Sequence, residues 1–110
     1  MKKREPRRRA PKHLRAATKV WWSSVIRDYG LEDHHVLLLT AACESLDRAA
    51  MAREAIEKDG AFFVDRHGSR KPHPGLAVER DSRSLFKSLL RELGLDVAPD
   101  APRAPLGKGY

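Results

Sequence analysis

The segment from Glu32 to Lys58 constrains this chain more than any other, because it reads as one long helix that is apolar on two sides. Leu39, Ala42, Cys43, Leu46, Ala49, Ala50 and Ile56 recur at helical spacing, and Val36, Leu37, Leu38, Met51, Ala52 and Ala55 add a second apolar surface. A helix with two apolar sides needs two neighbours. A chain of 110 residues holds one small core, so the second neighbour is expected to be another copy of the protein. Glu32 and Asp33 put negative charge where the helix begins, and Gly60 follows its end. Glu44 with Arg48, and Glu54 with Lys58, are spaced as i,i+4 pairs in the favourable acid-first order.

The flanking segments supply the other elements. Upstream, "HLRAATKVWWSSVIRDYG" places Leu14, Ala17, Trp21, Val25 and Ile26 on one helical face, with Tyr29 just beyond and Gly30 as the stop. Trp22 sits beside that stripe. Paired tryptophans can stack on bases, but a core or a protein interface is their commoner use. Downstream, "AFFV" at residues 61–64 is a β-prone run, "DRHGS" a turn at Gly68, and "RKP" an extended return, which together predict a hairpin near residues 61–72. His73 and Pro74 suit the cap and first position of a third helix, because a proline at that position loses no hydrogen bond. That helix carries Val78, Leu85, Phe86, Leu89, Leu90 and Leu93 on one face and meets Gly94 as its stop. The expected fold is mainly α: about three helices, with a short β-hairpin between the long second helix and the last. Residues 14–95 form the expected helical oligomerisation domain. Residues 96–110, with Pro99, Pro102 and Pro105 at three-residue spacing, are expected to be a flexible tail.

Charge divides the chain. Residues 1–19 hold nine basic side chains against Glu5 alone, a formal +8, while the rest holds 13 basic and 14 acidic side chains, a formal −1. Like charges repel, and Pro6 and Pro11 remove backbone donors, so residues 1–13 are expected to be a disordered basic arm. Its natural partner is a polyanion, and arginine's planar fork suits phosphate. Lys2, Lys3, Arg4, Arg7, Arg8, Arg9, Lys12, Arg15 and Lys19 are the candidate contacts to double-stranded DNA. Such contacts make binding salt-sensitive and weakly specific. The same arm suits RNA, or a general adaptor role. Trp21, Trp22, Leu38, Met51, Phe62 and Phe63 are the candidate oligomer interface. The longest apolar run, "VLLL" followed by "TAAC", is far short of a spanning helix, and a lone Cys43 makes no internal disulfide, so the protein is expected inside the cell.

Catalytic chemistry finds little support. His67 and His73 flank the hairpin turn with Asp65 and Asp81 nearby, which raises the alternative of a small HNH-like, metal-dependent nuclease. Neither histidine lies in a tight ligand pattern, and His73 has a simpler job at a helix start. His34 and His35 are adjacent and point about 100° apart, unsuited to one metal. Cys43 has no activating histidine or lysine at helical reach. The seven glycines form no phosphate loop. A helix-turn-helix is also poorly served, since the second helix opens into Val-Leu-Leu-Leu where base readers would have to stand. The expectation is therefore a protein that is not an enzyme, with no cofactor and no metal. His67 and Arg70, near the hairpin tip, receive no role.

The order of these pieces resembles the small subunit of phage terminases, specifically the helical, hairpin-containing family of long-tailed phages. The resemblance runs from about Pro11 to Pro99 and rests on Trp22 or Trp21, the Gly30-Leu31 turn, and "AREAIEKDG" closing the long helix. It continues through "GSRKPHPGLAVERDSRS" and "LLRELGLDVAP". The compact arginine-rich arm and the His34-His35 pair depart from the family's usual pattern. The resemblance implies a non-enzymatic packaging factor of the host cytoplasm. Such a factor assembles into a homo-oligomeric ring, binds viral DNA, and recruits and regulates the large terminase subunit, which carries the ATPase and nuclease.

Overall fold

The computed structural model describes residues 8–95. The expectations placed on Lys2, Lys3, Arg4, Arg7 and the proline-rich tail lie outside the described residues. Within them the chain forms α1 (Ala16–Asp28), α2 (Asp33–Asp59), β1 (Phe62–Val64), β2 (Arg70–Pro72) and α3 (Pro74–Leu93). The protein is mainly helical, with a two-stranded antiparallel hairpin between the second and third helices. No described helix is long and apolar enough to cross a membrane.

Local chemistry sets most of the boundaries. Gly60 follows α2 at φ +88° and Gly94 follows α3 at φ +74°, conformations a side chain would strain. The Leu95 N–H donates to the Leu90 carbonyl and the Gly94 N–H to Arg91, closing the last turn of α3. Pro74 occupies the first position of α3, and His73 caps it: its Nδ1 accepts the Gly75 N–H at 2.8 Å. Gly30 is not the stop of α1. That helix ends at Asp28, and Tyr29 is already extended at φ −119°.

Both neighbours of α2 come from the same chain. Trp22 Nε1 donates to Thr40, the Thr18 hydroxyl to Asp47, and the Arg15 guanidinium to Glu54, so as α1 is read backwards its partners advance along α2. The two helices are therefore antiparallel. On another side, Gly75 at the start of α3 lies against Ala52, while Leu93 and Leu95 at its end pack on the core around Leu39. α3 thus also runs back along α2. Trp21 and Phe86, with ring centroids 5.8 Å apart, join α1 to α3. Leu39, Ala42, Cys43 and Ala49 of the first apolar set are buried; of the second set Ala52 is buried and Val36, Leu38 and Ala55 are half-buried. Leu37 and Met51 are left exposed.

The core cluster is Leu14, Trp22, Val25, Leu39 and Cys43. The buried face of α1 is Thr18, Trp22 and Val25, one position round from the expected Ala17 and Trp21. A count of apolar residues passes over Thr18, whose hydroxyl is buried because Asp47 accepts its hydrogen bond. Along α3, Gly75 and Ser82 are buried against the body, whereas Val78 and Leu85, assigned to the inner face, are exposed.

Candidate nucleic-acid interface

The basic segment meets a row of acids on α2. Arg8 donates to Asp33 at 2.7 Å, and His13 Nε2 lies 2.8 Å from Glu44. Arg15 does most: its backbone N–H donates to Asp47 at 2.8 Å, and its guanidinium grips both oxygens of Glu54 at 2.6 and 2.9 Å. The paired hydrogen bonds, aided by the opposite charge, raise the Arg15 pKa and lower that of Glu54. Residues 8–13, expected to belong to a free arm, instead lie along the body, with Ala10 packed against the core.

This strap sorts the candidate DNA contacts. Arg8 and Arg15 spend their charge on carboxylates of α2. Among the described residues no hydrogen bond or ion pair engages the side chains of Arg9, Lys12 or Lys19. The acids that hold the strap were expected to pair within α2. Glu44 reaches His13 and not Arg48, and Glu54 reaches Arg15 and not Lys58. The missed signal was positional: Glu44, Asp47 and Glu54 lie at three- and seven-residue steps, hence on one helical face. Met51 belongs to that face, exposed beside His13, Leu14 and Arg15.

The candidate oligomer residues also separate. Trp22 is 2% exposed and belongs to the core. Trp21 is half-buried against Phe86, lining with Val25, Leu46 and Leu90 a groove of about 480 Å³ between α1 and α3. Leu38 is half-buried, and the neighbouring Leu37 is 73% exposed. Phe62 and Phe63, at 51% and 46%, stand open on the hairpin with Val64 at 68%.

The hairpin is held by its own loop and at its neck. Asp65 Oδ1 accepts the N–H groups of His67 and Ser69, both at 2.9 Å, and Gly68 takes φ +81° between them. At the neck the His73 N–H donates to the Ala61 carbonyl, while the His73 ring bridges two helices. Because Nδ1 accepts from Gly75, the ring hydrogen sits on Nε2 and is donated to Asp59 at 3.0 Å. His73 is thus a structural clasp, and His67 contributes its backbone to the loop. No group of three His, Cys, Asp or Glu side chains suited to a metal occurs among the described residues. Cys43 is wholly buried, and burial, followed by the charges of Asp47 and Glu44, pushes its thiol up to about 12.

No curated protein and no solved structure matches the chain. Residues 18–101, from within α1 to beyond α3, match the family model described as phage terminase, small subunit, and the chain belongs to that family.

Proposed function

We propose that this chain is a DNA-binding, non-catalytic subunit of a genome-packaging machine. It assembles into a ring of identical copies, acts in the host cytoplasm, and recruits and regulates the large subunit that carries the ATPase and nuclease. Family membership supports the packaging role. The observation that carries DNA binding is the charge division: nine cations against one acid in residues 1–19, a formal +8, ahead of a remainder at −1.

Lys2, Lys3, Arg4, Arg7, Arg9, Lys12 and Lys19 are the cations left to neutralise phosphate, with Arg8 and Arg15 anchoring the segment to α2. The tethers hold the stretch that carries Arg9 and Lys12 beside α2. In a ring, many such segments act together, so weak single contacts sum to strong avidity. Ring contacts are heterologous, and Leu37, Met51, Phe62 and Phe63 are among the exposed apolar side chains available to make them.

Deleting residues 1–12 tests the assignment. The shortened chain keeps Arg15 and its Glu54 link, so it should fold, lose most duplex binding and show a flatter salt dependence. Unchanged affinity would overturn the role of the segment. Light scattering at micromolar concentration tests assembly, and a monomer there would overturn the ring.

A further inference from the structure

The hairpin combines three properties. Neither strand packs on the helical body: all six residues of β1 and β2 are exposed. Among the described residues the sheet has two strands, which leaves both long edges open. Its basic side chains are uncommitted while its acids are spent. Asp65 turns an oxygen onto the loop N–H groups of His67 and Ser69, and Asp59 holds His73. No ion pair among the described residues engages Lys58, Arg66, Arg70 or Lys71.

The register distributes these cations around the ribbon. Phe62 pairs with Pro72 and Val64 with Arg70, while Phe63 pairs with Lys71. Directly opposed residues share a face, so Arg70 lies on one face and Lys71 on the other, with Arg66 in the connecting loop. The Arg70 guanidinium lies 4.8 Å from the centre of the Phe62 ring, which supports the side chain without neutralising it.

We infer that the hairpin is a second duplex-DNA contact, a β-ribbon that lies in a groove with Arg66, Arg70 and Lys71 turned to its phosphate walls and Lys58 at its base. A B-form major groove admits a two-stranded ribbon, and a ribbon lodged there meets phosphates on both sides, which matches cations on both faces. Charge complementarity selects DNA over a protein as the occupant. A protein surface would satisfy the exposed phenylalanines but leave several uncommitted cations to find carboxylates.

This inference rests on the DNA-binding reading above, and the test separates the two. Duplex binding is measured across a salt series for the intact chain, for the chain lacking residues 1–12, and for a Lys58→Gln, Arg66→Gln, Lys71→Gln variant. A control, Arg48→Gln, Lys87→Gln, Arg91→Gln, removes the same charge from α2 and α3. Light scattering is run on every sample. These exposed substitutions leave Arg70, both phenylalanines and the loop bonds in place. The hairpin variant should bind about tenfold or more weakly at physiological salt, and its log affinity should fall less steeply with log salt, by about one per lost phosphate contact. The control should keep the steeper slope. Equal slopes in the two variants would overturn the hairpin contact alone. So would a hairpin variant that changes assembly at an unchanged slope, which would make the ribbon a protein-docking element. An intact chain that fails to bind duplex would overturn both readings. Binding that survives the deletion but responds to the hairpin would overturn only the assignment of the first residues.

Discussion

Along its α1 side, α2 is met by large side chains and long polar reaches: Trp22 to Thr40, Thr18 to Asp47, Arg15 to Glu54. Along the first half of α3 it is met by small residues. Ala49, Ala52, Gly75 and Ser82 are all buried, and a Cβ added at Gly75 would stand 3.2 Å from the Ala52 carbonyl oxygen. The first contact spans a gap by filling it. The second removes the gap by letting backbones approach. The two sides should therefore fail under opposite insults, truncation at α1 and enlargement at α3.

The largest effect should come from truncating the α1 side. Trp22→Ala would leave a cavity in the core and strand Thr40 without its donor, lowering unfolding free energy by about 3–5 kcal/mol in a denaturant titration. A loss well below that would mean that α1 contributes little to the core. Enlarging the α3 side comes next. Gly75→Val would press on the Ala52 carbonyl and on His73 Nδ1, 3.0 Å from the new Cβ, and should cost about 1–3 kcal/mol in the same titration. A neutral result would show that α3 shifts easily and that the two sides are not opposites. His73→Ala removes the cap of α3 and the link to Asp59 together, and should cost about 1 kcal/mol, with faster amide exchange in the first turn of α3.

The smallest effect concerns the strap. Glu54 titrates below its ordinary 4.5 because Arg15 hydrogen-bonds it, so the folded state holds this proton less readily than the unfolded chain. The link's contribution is complete above 4.5 and disappears as pH falls through the lowered value. Glu54→Gln should remove that part of the acid dependence and leave the neutral-pH fold intact. NMR titration of the Arg15 side chain would report the release directly, and an Arg15 signal indifferent to acid would remove the strap from the α1 side.

Reading the sequence recovered what local chemistry decides. Gly60, Gly68 and Gly94 mark real changes of backbone direction, and His73 with Pro74 opens α3 as expected. Two kinds of information were hidden. The buried phase of α1 turns on Thr18, a polar residue made burial-competent only by Asp47, 29 positions away. The acids of α2 were assigned to partners four residues on, whereas Glu54 holds Arg15 across 39 positions. Short-range spacing describes a helix surface as if nothing covered it, so contacts across long separations escape it. Within the chain α1 and α3 cover Leu39, Ala42, Cys43, Ala49 and Ala52, while Leu37 and Met51 of α2 and Phe62, Phe63 and Val64 of the hairpin stay exposed.

One residue at the neck of the hairpin does three things at once. The main-chain N–H of His73 closes the base of the hairpin on Ala61, one ring nitrogen starts α3, and the other holds the end of α2. Slipping the two strands past each other by a pair of residues would break the His73 bond to Ala61 and pull its ring from Asp59, so the register of the hairpin is tied to the end of α2. A load applied at its tip would reach the joint between α2 and α3 as a turning moment about a fixed pivot.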